Sequence, residues 1–250
     1  LPILLILLGA ALLLSNFLLI EGVDLARYWP VLLIAAGLVI LRRGDISLSS
    51  QSQPFGITRG NVQTAQLEVS AGELDMRVRP LTREGRLIAG QYTARSRPSL
   101  TVNGTNARLT MQRGQSWLLS MADWEIELAP DLPWTILLSS FLGAIDAAFE
   151  SLTIDRAFIG TGFGDIRLST PASAVNGVLA RSTFGDITAE TTPGVAALFR
   201  VEPTPFARLK VDETRYLMVE PGVYATLDYK DAAALVSIQL RTTFGTVTLR

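Results

Sequence analysis

Histidine and cysteine are both absent from the 250 residues. Their absence removes the commonest general base at neutral pH, most zinc and copper sites, every thiol nucleophile and every disulfide. Lysine is scarce, with Lys210 and Lys230 alone against twenty arginines. Net charge is −1, which excludes the global basicity of a nucleic-acid-binding chain, and no nucleic-acid partner is expected. No glycine-rich phosphate loop with lysine, no Gly-x-Ser-x-Gly elbow and no dinucleotide fingerprint occurs. Beyond residue 44 no long run keeps a helical period. The one helical candidate is Gly143 to Leu152, and only its alanine content supports it.

The charge that is present is divided. Between Glu73 and Arg113, eight arginines face Glu73, Asp75 and Glu84, a local excess of +5. Between Asp123 and Asp231, sixteen acids face eight bases, a local excess of −8. Such a division either pairs locally on a solvated surface or orients the molecule at an anionic membrane or against another copy.

What the sequence does have is a long apolar opening. Leu1 to Ile20 carries no charge, and as a helix it spans roughly 30 Å, the thickness of a bilayer core. The segment Glu21–Arg27 is a polar turn. Tyr28-Trp29-Pro30 then leads a second apolar run, Val31 to Leu41, closed by Arg42-Arg43. Tyr28 and Trp29 suit an interfacial belt, and Pro30 suits a first helical turn. Gly9-Ala10-Ala11 and Ala35-Ala36-Gly37 fall at similar depth in an antiparallel pair, where small residues let helices approach. The pattern predicts a transmembrane helical hairpin over 1–43 and makes the lipid bilayer a partner. The positive-inside rule applied to Arg42-Arg43 puts the following domain in the cytoplasm of a cell (inner) membrane.

Residues 44–66 are rich in Ser, Gln and Gly and read as a linker. From Leu67 the period becomes two. Leu67, Val69 and Ala71, then Leu74, Met76 and Val78, alternate with polar neighbours across a turn near Gly72. Trp124–Leu128, Ile166–Leu168, Val236–Leu240 and Val247–Leu249 alternate likewise. Trp117, Trp124 and Trp134 are either core residues or a sugar-stacking set. Asn103-Gly104-Thr105 is either a turn or a glycosylation sequon.

One phrase repeats. Gly162-Phe163-Gly164-Asp165-Ile166 returns as Thr183-Phe184-Gly185-Asp186-Ile187 and as Thr243-Phe244-Gly245-Thr246-Val247. The first step is 21 residues and the second is 60, which reads as three coils with Phe206 and Tyr224 on the intervening beats. A period in the twenties marks a stacked-coil architecture. The expected fold is all-β: a single-stranded β-solenoid with coils of about 20 residues over 67–250. Equivalent residues then stack about 4.8 Å apart, which predicts an aromatic stack of Phe163, Phe184 and Phe244 inside the coil. Asp165 and Asp186 become neighbours. They are either corner residues facing water, or a Ca²⁺ site or catalytic acid pair.

The opening run with Tyr28-Trp29-Pro30-Val31-Leu32-Leu33 resembles the paired transmembrane region of bacterial LiaI-like and LiaF-like envelope-stress proteins. The alternating stretches, the Phe-Gly-Asp-Ile copies and the closing Tyr224 to Leu249 resemble the β-rich, adhesin-like "toast-rack" domain of that group. The resemblance implies a membrane-anchored regulator or scaffold whose partner is a sensor histidine kinase or another envelope protein. It carries no catalytic residue, cofactor or metal ligand onto this chain. Two other readings follow from the repeat: a self-assembling scaffold or adhesin similar in coil geometry to bactofilins, and a carbohydrate-active β-helix enzyme using Asp165 and Asp186.

Overall fold

A computed structural model describes residues 52–93, 97–112, 123–232 and 234–250. The expected transmembrane hairpin, residues 44–51 of the expected linker, and Trp117 lie outside these. Among the described residues there is no helix, and nineteen strands follow one another. In chain order they begin with β1 (Ser52–Thr58), β2 (Thr64–Ser70), β3 (Met76–Pro80), β4 (Arg86–Thr93), β5 (Ser99–Asn103), β6 (Asn106–Gln112) and β7 (Trp124–Leu128). Next are β8 (Pro133–Ser140), β9 (Ile145–Ala147), β10 (Thr153–Phe163), β11 (Ile166–Ser169), β12 (Ser173–Ala174), β13 (Val178–Phe184) and β14 (Ile187–Glu190). The last are β15 (Ala196–Val201), β16 (Phe206–Val211), β17 (Tyr216–Glu220), β18 (Val223–Thr226) and β19 (Leu235–Leu249).

The strands work in pairs. A strand of one parallel sheet turns a corner and continues as a strand of a second, so each pair is one coil of a solenoid. In space the first sheet runs β6–β2–β8–β10–β13–β19–β15. The second runs β7–β3–β9–β11–β14–β19–β16. The single long strand β19 serves both, its first part in one sheet and its last part in the other. Sheet-facing positions alternate, as period-two sequences require. The inward set of the first sheet includes one residue per coil: Leu109, Leu67, Ile136, Ala157, Val178, Ile238 and Phe199, all buried. Trp124 and Trp134 are wholly buried, and the Trp134 indole N–H donates to the Ala129 carbonyl at 2.8 Å. Both belong to the core rather than to a sugar platform.

Coil order in space differs from coil order in the chain at both ends. The first coil, β2/β3, lies between the second, β6/β7, and the third, β8/β9. The last coil, β19, inserts between β13/β14 and β15/β16. This corrects the reading of the 60-residue step as three coils. Phe244 sits one coil from Phe184, and the intervening residues 191–232 form β15/β16 beyond it plus an antiparallel cap. Phe206 does join the stack, on the far side of Phe244. Tyr224 does not, because β18 runs antiparallel against β15 and β17.

The antiparallel strands close most of the ends. β5 pairs with β6 through a two-residue loop at Gly104-Thr105, where Gly104 takes φ 63°, so Asn103-Gly104 is a hairpin turn. β4 covers β7, and β1 covers β4. β1 occupies part of the stretch that composition assigned to a linker; its Phe55 and Ile57 pack on the core, which overrides the polar average. The alanine-rich Gly143–Leu152 segment is β9 followed by a turn in which Leu152 N–H donates to Phe149 C=O at 2.9 Å. Neighbouring coils supply its hydrogen bonds, so helix propensity does not decide its state.

Candidate functional site

The repeated phrase forms one corner of the solenoid, and three ladders run along it. The first is made of missing side chains. A Cβ placed on Gly164 would lie 2.3 Å from Gly143 O, one on Gly185 would lie 2.0 Å from Gly164 O, and one on Gly245 would lie 2.2 Å from Gly185 O. Gly143 itself would meet Leu74 O at 2.1 Å. Each glycine therefore leaves room for the carbonyl of the preceding coil, and only glycine fits.

The second ladder is polar. Asp75 Oδ1 accepts from Ala144 N–H at 2.8 Å, Asp165 Oδ1 from Asp186 N–H at 2.8 Å, and Asp186 Oδ1 from Thr246 N–H at 2.7 Å. Each carboxylate thus caps an amide of the next coil that the corner turns away from the sheet. The third ladder is of hydroxyls three residues before the glycines. Thr161 donates to Gly143 O at 3.1 Å, Ser182 to Gly164 O at 3.1 Å, and Thr242 to Gly185 O at 2.8 Å; these three side chains are buried. Ser140, in the equivalent place, donates to Gly72 O at 3.2 Å. Sequence reading missed the hydroxyls and Asp75. The signal was available: Ser or Thr precedes each of Gly143, Gly164, Gly185 and Gly245 by three residues.

The aromatic stack exists, but outside the coil. Phe163, Phe184 and Phe244 stack in parallel at 4.7 Å per step, Phe206 extends them at 5.0 Å, and Phe141 meets Phe163 edge-on at 5.8 Å. All five rings are exposed, by 39–66%. The buried place at this corner belongs to the hydroxyl ladder instead. The result is a phenylalanine ribbon along one edge of the solenoid, with ring faces covered by one another and ring edges toward solvent.

Charge on the outer face of the second sheet alternates from coil to coil. The aligned positions are Glu125, Arg77, Asp146, Arg167, Thr188, Thr248 and Lys210. The arginine-rich segment is therefore interleaved with acids: Arg77 approaches Asp123 at 3.7 Å, Arg79 approaches Glu125 at 3.9 Å, and Arg108 meets Glu68 at 2.6 Å. These pairs are solvated, each worth at most about 1 kcal/mol. They pair part of the arginine-rich segment locally, Arg77 and Arg79 on the second sheet and Arg108 on the first.

At the β15 end the Tyr216 ring packs edge-on against Phe199 at 5.5 Å. Its hydroxyl lies 2.7 Å from Thr191 Oγ1 and donates to the Arg250 carbonyl. Burial raises its pKa above the ordinary tyrosine value, outweighing the hydrogen bond with Thr191. Nearby, Asp212 accepts from the Thr214 hydroxyl at 2.6 Å and from its backbone N–H at 3.0 Å, which holds its carboxyl below the usual range.

A repeated corner, an all-β solenoid and an exposed aromatic ribbon define a chain that presents surface. Residues 1–41 match the LiaI-LiaF-like transmembrane region, so the chain carries a membrane-associated segment at its N-terminal end. The chain is similar in fold to a candidate cell adhesion protein from Clostridium sporogenes, seen in a crystal structure at 1.95 Å. The two share 13% identity with a TM-score of 0.68, over 80% of this chain and 98% of that one. A candidate adhesin from Bacteroides fragilis aligns over 81% of this chain and 98% of its own, at 12% identity and a TM-score of 0.34. No curated protein matches.

Proposed function

We propose that this is a membrane-anchored regulatory or scaffolding protein that acts through protein contacts in cell-envelope stress sensing or signalling. The observation that carries the reading is the combination of a LiaI-LiaF-like transmembrane region with a β-solenoid whose repeated corner is held by hydrogen bonds from one coil to the next. The reading is non-enzymatic. Asp165 and Asp186 spend an oxygen each on a backbone amide of the next coil, a role that explains their spacing without substrate, Ca²⁺ or cofactor. In this reading the 1–43 segment is a multi-pass anchor, and the solenoid lies on the cytoplasmic side, where a sensor histidine kinase offers its catalytic region.

Two experiments test this. Crosslinking and co-purification of the full chain from membranes of cells under cell-wall stress should recover a sensor kinase or another envelope protein; recovery of neither removes the signalling role. A reporter fused after Arg250 that is active only outside the membrane would reverse the orientation. A second reading, a surface adhesin, draws on the fold shared with the Clostridium sporogenes protein, and that same outside-only reporter result would favour it.

A further inference from the structure

Three of the four ends of the two parallel sheets carry an antiparallel strand, β5 on β6, β4 on β7 and β18 on β15, and among the described residues the fourth, β16, carries none. In the second sheet the inward position aligned through the coils reads Trp124, Met76, Ile145, Ile166, Ile187, Val247 and Leu209. The first six are at most 1% exposed, but Leu209 is 39% exposed. The contrast with the first sheet is direct: its last inward residue, Phe199, is fully buried beneath β18 and the Tyr216 ring. β16 pairs with β19 on one side, and no described strand pairs with its other side. Its outward residues are Phe206, Arg208 and Lys210. Phe206 ends the aromatic stack with one ring face uncovered, and Lys210 ends the alternating charge column beyond two neutral threonines.

We propose that β16 is a docking edge for an extended segment of another protein, which adds as the next strand of the second sheet. The complement is written in the column ends: an aromatic side chain beside Phe206, acids beside Arg208 and Lys210, and apolar residues between them to cover Leu209. Edge strands recruit partners in this way through backbone hydrogen bonds, and alternate side chains set the choice. A second copy of β16 is disfavoured at the same edge in its three central antiparallel registers. Antiparallel pairing centred on Leu209 sets Arg208 against Lys210, and centring on Arg208 or Lys210 sets each against itself; like charges directly opposite are destabilising. The proposal rests on the reading that the domain acts through protein contacts. Its test uses purified chain, so it succeeds or fails independently of the membrane co-purification.

The test measures fluorescence anisotropy of a labelled peptide, Phe-Thr-Asp-Val-Glu-Val, with the full chain in lipid nanodiscs. Binding should exceed that of the charge-reversed peptide Phe-Thr-Lys-Val-Lys-Val about tenfold. Alternate-amide N-methylation of the peptide, on the edge that would face β16, should abolish it. An Arg208→Glu, Lys210→Glu double variant should reverse the preference between the two peptides, and its circular dichroism and melting temperature report whether it folds. The wild-type comparison of the two peptides stands whether or not the variant folds. Equal binding of both peptides, no binding, full binding by the N-methylated peptide, or dimerisation of the chain through β16 would each overturn the proposal.

Discussion

At the scale of the residue, the corner glycines carry the heaviest constraint. Gly185→Ala forces a methyl group into the Gly164 carbonyl at 2.0 Å, and neither backbone can retreat without breaking its coil. It should destabilise the domain by about 3 kcal/mol or more in urea unfolding. Gly194, with φ 81° and nothing within 4 Å of its missing Cβ, is the control: alanine there should cost only about 1 kcal/mol. The aspartates come next. Asp186→Ala leaves the Thr246 amide without its acceptor and should cost about 1–2 kcal/mol, whereas Asp186→Asn keeps a carbonyl oxygen and should recover most of it. The repeat made the corner legible in sequence but not its bonding: an acid after a turn glycine is expected to bond its own backbone, whereas Asp165 and Asp186 accept from an amide of the next coil. The side of the corner on which phenylalanine falls was not legible. Period-two parity from Ala157, Ile159 and Thr161 points Phe163 inward, but the chain leaves the sheet at the corner and carries the ring past the core edge.

At the scale of the element, β17 acts as a lid on the first sheet through one residue, Tyr216. Its folded pKa is raised, so the native state holds the phenolic proton more tightly than the unfolded chain does. The associated stability is fully present below pH 10, the unfolded value, and is lost as pH rises through the higher folded value. Thermal melts above pH 10 should therefore fall more steeply for the wild type than for Tyr216→Phe, although the variant starts lower for want of the Thr191 and Arg250 hydrogen bonds. Asp212 works in the opposite sense. Its depressed pKa contributes stability above the unfolded value of 3.8 that disappears as pH falls through the folded value, and Asp212→Asn should flatten that acid limb. Strands such as β7 and β11 could be read from alternation alone. β18 and the cap it makes could not, since antiparallel and parallel strands carry the same half-buried pattern; register, which sequence period does not encode, distinguishes them.

At the scale of the whole molecule, stability in a solenoid is close to a sum of nearest-neighbour terms between coils. Hydrogen exchange should show the slowest amides in β8, β10, β13 and β19, which have a parallel partner on each side, and the fastest in β1, β5, β16 and β17, which end their sheets. Composition and repeat spacing revealed the solenoid. They concealed the coil permutation, because a 60-residue gap accommodates three consecutive coils as readily as one coil with an excursion.

The insertion of β19 also has a meaning in time. A chain emerging from the ribosome makes β15 and β16 before the strand that will lie between them and β14. During that interval Phe199 and Val201 have only the β18 hairpin to cover them, and the slot above β13 stands open to any apolar strand nearby. Folding of this end is therefore withheld until the last coil has been translated. A chain truncated after Thr226, which keeps β15 to β18 and lacks β19, should be the one that a holding chaperone or a protease recognises.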